Sequence, residues 1–422
     1  MANKINVIDL FAGPGGLGEG FSAFQRSSGE NPFRIRMSVE KEASAHKTLT
    51  LRALYRSLTN TSDRELYRGY VTGQVIKEEL THRLSDAWSH ASSETLTGPR
   101  ALGEDNELIH KRLRQLKREH SGEPWLVIGG PPCQAYSLAG RSRNKGIVGY
   151  QAENDGRHFL YQEYLEVLSI IQPDAFVMEN VKGILTSRVG GQKIFPAILN
   201  DLANPKAATS ESGRRSGKSY RIYSFVCAPD GNDLFSTSYA NDSDYIIRAE
   251  LYGVPQARHR VILLGVSDEL SREPGLLKPS RPVNIEQVLT GLPPLRSRLS
   301  KQPDSPELWR AAIERQARKI RAELASQGLP QVIDAMDRAI PRLYSSAPCE
   351  GKQYAGGEGV SRRLPDDLRE WLGSDRPDKV TNHESRSHIE ADLGRYLFCS
   401  SWATAFHNDP NQIPKASAFP RC

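Results

Sequence analysis

The chain of 422 residues is 38% hydrophobic and 25% charged, a composition that is typical of a globular protein and excludes a largely disordered one. Its formal net charge of +6 favours a polyanionic partner such as a nucleic acid. No apolar run predicts a membrane span, no signal peptide precedes the first predicted strand, and five scattered cysteines favour a reduced, cytoplasmic compartment over a disulfide framework.

Predicted strands and helices alternate along the first part of the chain. Apolar, β-branched runs predict strands and apolar residues at helical spacing predict helices, in this order: strand 5–11, helix 17–26, strand and helix 33–55, strand 124–130, and helix and strand 159–181. This alternation predicts an α/β fold with a doubly wound parallel sheet, in which ligands bind at the carboxyl ends of the strands. Four residues follow these strands and are expected to share one site: Gly13, Glu40, Cys133 and Glu179.

The remaining segments predict an insertion and a second region. Residues 50–122 form a charged helical insertion, and residues 204–219 are polar and predict a loop. After a further strand at residues 260–266, the alternation of strands and helices stops and proline-rich connections follow. We therefore predict a first domain of residues 1–266, which contains the insertion, and a smaller second region of residues 267–422.

A glycine-rich turn lies between the first strand and the first helix. The run Gly13-Pro14-Gly15-Gly16-Leu17-Gly18 is a GxGxxG pattern, which is typical of a dinucleotide-binding turn. The glycines alone leave two interpretations open, namely a nicotinamide or flavin dehydrogenase, or a protein that binds another nucleotide-like cofactor. Glu40 suits both, because a carboxylate at a strand end can accept both ribose hydroxyls; a surface glutamate is the alternative.

Cys133 is a candidate nucleophile. It follows two prolines, which fix the backbone, and the amides after it could hold a thiolate, although a small buried hydrophobic residue is the alternative. Glu179 ends an apolar strand, where a carboxyl group without a function is unusual, and Arg258 and Arg260 lead into another strand. No cluster of cysteines and histidines predicts a metal site.

Four stretches resemble, in this order, the successive motifs of DNA cytosine-5 methyltransferases: DLFAGPGGLGEGF, GGPPCQAYS, MENV and YGVPQARHRVILLGV. The resemblance covers residues 5–50 and 124–266. It implies a Rossmann-like methyltransferase fold that binds S-adenosyl-L-methionine at the glycine loop, which a dehydrogenase would not. It further implies double-stranded DNA as substrate, flipping of the target cytosine out of the duplex, and a bacterial restriction–modification system with a cognate restriction endonuclease.

The resemblance also implies a role for each candidate residue. The Cys133 thiolate would add to ring position 6 of cytosine and make carbon 5 able to attack the methyl group. Glu179 would hold or protonate the ring nitrogen at position 3, and Arg260 would bind the carbonyl oxygen, with Arg258 as a second contact or a support. Asp9 is either a structural strand-end residue or a contact to the methionine end of the cofactor. Further cofactor contacts are implied for Phe11, Gly13, Gly15, Glu40 and Pro131.

The chain departs from the family pattern near its end. It closes on NQIPKASAFPRC without the family's late arginine-threonine-arginine-glutamate motif, and residues 382–403 resemble the recognition-region helix that would precede that motif. We therefore expect an incomplete target-recognition region. Three interpretations follow: the chain is truncated, a partner chain supplies the missing motifs, or the protein is an inactive remnant that binds DNA or cofactor. An RNA cytosine-5 methyltransferase of the same fold is the nearest alternative enzyme.

Overall fold

The computed structural model of the chain contains two compact units, Met1–Ile285 and Glu286–Cys422. The predicted boundary between residues 266 and 267 falls inside the first unit. Cys133, the predicted nucleophile, lies outside the described residues. The structure describes residues 4–132, 159–189, 191–210, 217–230, 237–345, 351–355, 363–373 and 380–406.

The first unit is built on a seven-stranded sheet. The order across the sheet is β2-β1-β3-β4-β9-β7, with β8 paired to β9, and β5 and β6 form a separate hairpin. The strands are Ile5–Leu10 (β1), Phe33–Val39 (β2), Trp125–Gly129 (β3), Ala175–Val181 (β4), Arg188–Val189 (β5), Gln192–Lys193 (β6), Tyr220–Tyr223 (β7), Ile246–Arg248 (β8) and His259–Ser267 (β9).

The sheet is only partly parallel. Strands β2, β1, β3 and β4 run parallel, as predicted. Strand β9 runs antiparallel to β4, β7 and β8, so this side of the sheet departs from the parallel arrangement of the other four strands. Between β8 and β9 the reason is local, because residues 249–258 are all that joins these two strands. Such a short link joins antiparallel neighbours, since parallel strands need a longer crossover.

Helices account for most of the predicted insertion. Helix α2 begins at residue 43, before the predicted start of the insertion at residue 50, and α9 falls within the segment predicted as a polar loop, where Pro205 at its first position favours a helical start. The described helices of this unit are Gly16–Ala23 (α1), Ala43–Ser57 (α2), Thr61–Val71 (α3), Lys77–Arg83 (α4), Ser85–Glu94 (α5), Asn106–Glu119 (α6), Phe159–Ile171 (α7), Phe195–Ala203 (α8) and Pro205–Ala208 (α9), with short 3-10 turns at Lys182–Thr186, Asp242–Tyr245 and Ala249–Tyr252.

Side chains alternate between the two faces of the sheet. Leu10 of β1 belongs to the apolar cluster on one face, together with Tyr164 of α7. Val7 belongs to a second cluster, together with Leu17 of α1. Asp9 is two residues from Val7 and shares its side of the strand, so strand alternation places a carboxyl group beneath α1.

The second unit has a core of its own. Ile320 of α11, Val332 of α12 and Phe398 of α15 are buried in one cluster. The segment 382–403, predicted as a helix, is helical only from Glu390. The elements in chain order are Ile285–Leu289 (α10), Arg298–Leu299 (β10), Pro306–Ser326 (α11), Pro330–Ala339 (α12), Arg342–Ser345 (α13), Gly351–Ala355 (β11), Asp366–Gly373 (α14), Val380–Glu384 (β12), Ser387–His388 (β13) and Glu390–Ala405 (α15).

Candidate functional site

One row of backbone pairs crosses four strands of the sheet. Leu10 of β1 pairs with Val39 of β2 and Gly129 of β3, and Gly129 pairs with Met178 of β4. Since neighbouring strands lie about 4.8 Å apart, this row spans about 15 Å. The sheet therefore brings the glycine loop and the strand-end carboxyl groups together at the carboxyl ends of the parallel strands. The residues that directly follow the row are Phe11, Glu40, Gly130 and Glu179.

Glu40 holds the glycine loop with both oxygens of its carboxylate. Oε2 accepts a hydrogen bond from the backbone N–H of Gly13 at 2.8 Å, and Oε1 accepts one from the backbone N–H of Glu42 at 2.7 Å. Glu42 in turn caps α2, because its side chain accepts a hydrogen bond from the backbone N–H of Ala45. An ionised carboxylate has about four acceptor positions, so half-buried Glu40 can accept further bonds from a ligand.

The loop between β1 and α1 turns through left-handed backbone conformations. The φ angles are 53° at Phe11, 58° at Gly13 and 93° at Gly15. Glycine adopts this region without cost, whereas Phe11 is held there by its surroundings. A Cβ placed on Gly13 would meet nothing within 4 Å, so a ligand can approach the backbone closely at that point.

Asp9 is fully buried beneath the first turns of α1. Its Oδ2 lies 2.8 Å from the position that a Cβ on Gly18 would take, so the helix needs a glycine there. Burial raises the pKa of Asp9 to about 7, and the positive charge of Arg56 opposes that rise. This location suits a structural residue, and a contact between Asp9 and the methionine end of a cofactor stays a prediction.

Glu179 pairs with the two predicted arginines at the end of β4. Nε of Arg260 lies 2.8 Å from Oε1 of Glu179, and Nη2 of Arg258 lies 3.8 Å from the same oxygen. The Glu179 and Arg260 side chains are each 24% exposed and that of Arg258 is 51% exposed, so Arg258 is the outer member of the group. The antiparallel direction of β9 creates this group, because its second residue, Arg260, pairs with the last residue of β4, Val181.

Two further residues support the group and were not singled out in the sequence. A Cβ on Gly130 would lie 3.1 Å from Oε2 of Glu179, so the glycine leaves room for the carboxyl group. Buried Asn180 donates from Nδ2 to the carbonyl oxygen of Pro131 at 3.2 Å and fixes the segment just before Cys133. The available signals were the paired glycines before the prolines and an amide residue directly after the strand-end glutamate.

Two cavities differ in their relation to this edge. A cavity of 160 Å³ is lined in part by Pro131 and Asn180. A cavity of 680 Å³ is lined by Ile5, Phe33 and Leu126, near the beginnings of their strands, and so lies at the edge opposite the predicted site. Within the described ranges, no group of three His, Cys, Asp or Glu side chains is arranged to hold a metal ion. In the same ranges no helix is long and apolar enough to cross a membrane.

Fold and site together define a class of protein. The parallel strands in the order β2-β1-β3-β4, with a glycine loop after β1 and a carboxylate after β2, form the Rossmann-like fold of S-adenosylmethionine-dependent methyltransferases. The free acceptor positions of Glu40 suit ribose hydroxyls, and the open backbone at Gly13 suits close approach of the rest of the cofactor. The residues present therefore fit S-adenosyl-L-methionine.

Comparisons with known proteins identify the family. Residues 104–205 match the model of C-5 cytosine-specific DNA methylases. The chain is 34% identical to the type II methyltransferase M.AquIA of Picosynechococcus sp. over 262 residues. This matched region is 61% of this chain and 71% of that protein. The chain therefore belongs to the DNA cytosine-5 methyltransferase family, as the motifs predicted, and the question that the glycines left open is answered.

Two other relatives are longer than the matched region. The type II methyltransferase M.Bpa9945I of Bacillus paralicheniformis is 33% identical over 310 residues, which are 69% of this chain and 61% of that protein. The type II methyltransferase M.BspRI of Lysinibacillus sphaericus is 26% identical over 272 residues, which are 64% of this chain and 46% of that protein. The chain thus spans less than two thirds of the length of these two relatives.

Proposed function

We propose that this chain transfers a methyl group from S-adenosyl-L-methionine to carbon 5 of a cytosine in double-stranded DNA. The main support is the pairing of Glu179 with Arg260 at 2.8 Å, at the sheet edge that also carries the loop joined by Gly13 and Glu40. A carboxyl group and a guanidinium side by side match the ring nitrogen and the adjacent carbonyl oxygen of cytosine. Family membership supports the same substrate.

The glycine loop is the proposed cofactor site. S-adenosyl-L-methionine supplies an electrophilic methyl group when it is bound. Glu40 accepts hydrogen bonds from the ribose hydroxyls, while it continues to hold the backbone N–H of Gly13. The proposed contacts to the remainder of the cofactor are Phe11, Gly13, Gly15 and Pro131, with Asp9 beneath the loop.

Cys133 is the proposed nucleophile. Its thiolate forms a bond to carbon 6 of the ring, and the displaced electron pair makes carbon 5 able to attack the methyl group. Formation of the bond from carbon 5 to the methyl group would break the methyl–sulfur bond and leave S-adenosyl-L-homocysteine. Transfer of the carbon-5 proton to a base would then expel the Cys133 thiolate from carbon 6. Glu179 holds or protonates ring nitrogen 3, and Arg260 stabilises the negative charge that develops on the carbonyl oxygen, with Arg258 as the outer contact.

The proposed substrate requires base flipping. A duplex hides ring position 6, so the cytosine must leave the stack, at an unstacking cost of a few kcal/mol. The net charge of +6 supports binding to the phosphate backbone. Because the relatives are named type II methyltransferases, we extend the proposal to a restriction–modification system with a cognate endonuclease.

Methyl transfer to duplex DNA tests the proposal directly. The full chain is incubated with S-adenosyl-L-methionine labelled in the methyl group, and the label in 5-methylcytosine is counted. We expect label with the wild-type chain and none with Cys133→Ser, because serine is a far weaker nucleophile. Cys399→Ser, which alters an exposed free cysteine of the second unit, is the matched control and should keep full activity.

The nucleic acid that accepts the methyl group, together with assays of cofactor and DNA binding, distinguishes the alternative functions. Label on tRNA but not on DNA would indicate an RNA cytosine-5 methyltransferase. Cofactor or DNA binding without any label would indicate an inactive remnant or a chain that needs a partner. Equal label with Cys133→Ser and wild type would refute the covalent role of Cys133.

A further inference from the structure

Arg56 joins the helix of the cofactor loop to the helical insertion. It lies in the last turn of α2, where its Nη1 pairs with Glu19 in the first turn of α1. Its Nη2 lies 2.6 Å from Oε1 of Glu94, the last residue of α5. The Arg56 and Glu94 side chains are only 16% and 18% exposed, so this pair is largely out of water and little screened.

Helix α2 also lies directly against the glycine loop. A Cβ on Gly15 would come within 3.0 Å of Cδ1 of Leu49 and 3.5 Å of Cδ of Arg52, both on α2. At its other end, the residue that caps α2, Glu42, donates its backbone N–H to Oε1 of Glu40. Helix α2 therefore begins close to the proposed ribose acceptor, passes the glycine loop and carries Arg56 in its last turn.

Arg56 balances several carboxyl groups that surround it. Burial raises the pKa of Glu94, and the charge of Arg56 opposes that rise. The same charge opposes the rise in the pKa of Asp9, a rise to which the charges of Glu94 and Glu40 add. Without Arg56, Glu19 and Glu94 would lose the cation that joins α1 and α5 to α2, and the largely buried Glu94 would lose its ionic partner.

We propose that Arg56 is a positioning residue of the cofactor site, which acts through Glu19 to hold α1 and the glycine loop in the conformation that binds S-adenosyl-L-methionine. The inference rests on the proposed cofactor. It gives the helical insertion a function in this protein, because Glu94 anchors Arg56 from the insertion side. Arg56 touches neither the cofactor nor the base and contributes only through the geometry of the loop.

Calorimetric titration of the full chain with S-adenosyl-L-methionine tests this role. We expect Arg56→Met to raise the Kd for the cofactor at least tenfold, while Arg56→Lys, which keeps the charge and one contact, recovers part of the affinity. Glu19→Gln should weaken binding in the same direction. In the methyl-transfer assay, the KM for the cofactor should rise while kcat at saturating cofactor changes less than twofold.

Leu80→Ala is the control for a merely structural role. Leu80 is fully buried in a cluster with Leu54 and Leu66, and this cluster includes neither Leu49 nor Arg56. This variant should lower the melting temperature and leave the Kd for the cofactor unchanged. A folded Arg56→Met whose Kd stays within twofold of the wild type would overturn the inference.

The remaining outcomes also decide the matter. If Arg56→Met does not fold, Arg56→Lys and Glu19→Gln replace it, and a wild-type Kd for both would overturn the inference. A fall in affinity for Leu80→Ala equal to that for Arg56→Met would reduce the role of Arg56 to general stability and would also overturn it. A wild-type chain that does not bind S-adenosyl-L-methionine would instead overturn the proposed cofactor, and this inference with it.

Discussion

At the scale of single residues, two arginines face one carboxylate from the start of β9, where Arg258 directly precedes the strand and Arg260 is its second residue. Arg258 and Arg260 both approach Glu179, whereas His259 between them contacts Glu250 instead. His259 places Nε2 at 2.6 Å from Oε1 of Glu250, which anchors the start of β9. The start of β9, with Arg258 directly before it, is thereby held by contacts to both Glu179 and Glu250.

The prediction at the residue scale concerns Asp9 and the pH dependence of stability. Its pKa is about 7 in the folded chain and near 3.8 when unfolded, so the folded state binds the proton more tightly. The favourable contribution is complete below about pH 4 and is lost as pH rises towards 7. The stability of Asp9→Asn relative to wild type should therefore increase with pH over this window, at about 1.4 kcal/mol per pH unit.

Urea unfolding of both chains at several values between about pH 5 and pH 8 measures this difference. The control is Asp86→Asn, which alters an exposed aspartate in the first turn of α5. The control should show no comparable trend over the same range. A constant difference between Asp9→Asn and wild type would show that Asp9 ionises in the folded chain as it does in the unfolded one.

At the scale of elements, β9 fits against β4 because of a glycine. Phe176 of β4 pairs across the ladder with Gly265 of β9, and its fully buried ring packs edge-on against Tyr164 and Tyr220. A Cβ on Gly265 would lie 2.1 Å from Cε1 of that ring, far inside van der Waals contact. The Phe176 ring therefore occupies the space that a side chain at position 265 would need. The close pairing of β4 and β9 that this glycine permits keeps Arg260 beside Glu179.

Gly265→Ala should destabilise the first unit by about 1–3 kcal/mol, because the buried ring must move to admit a methyl group. Thermal or urea unfolding checks the prediction. Gly275→Ala is the matched control, since a Cβ there meets nothing within 4 Å and the residue is exposed. The control should change stability by only a few tenths of a kcal/mol. Equal stabilities for the two variants would mean that the ring has room to move freely.

At this scale, the sequence predicted the features that depend on residues close together in the chain. The segment 33–39 and the apolar run 125–129 became strands, and the glycine turn lies where its spacing indicated. The direction of β9 depends instead on which strands it pairs with, and its own residues do not encode that. The contact between Asn180 and Pro131 and that between Arg56 and Glu94 join distant parts of the chain, so periodicity and propensity could not reveal them.

At the scale of the whole molecule, every described residue assigned here to the cofactor or the base lies in the first unit. The second unit has its own buried cluster, which includes Ile320, Val332 and Phe398. Residues 267–285 decide where the first unit ends. The backbone N–H of Leu277 donates to the carbonyl oxygen of Phe225 at 2.8 Å, and that of Ser280 donates to Leu251 at 2.9 Å. This segment therefore closes the first unit, although the change in sequence rhythm falls before it.

Two fragments test this boundary. A fragment of residues 1–284 keeps both of these hydrogen bonds and every proposed cofactor contact, so it should bind S-adenosyl-L-methionine with a Kd close to that of the full chain. A fragment of residues 1–266 loses the segment that bonds to Phe225 and Leu251. Its melting temperature should be several degrees lower, because a loss of about 1 kcal/mol in the free energy of unfolding lowers Tm by about 2–4 °C in a domain of about this size. Differential scanning calorimetry and titration with the cofactor measure both quantities. Identical melting temperatures for the two fragments would place the end of the first unit at residue 266, where the sequence pattern put it.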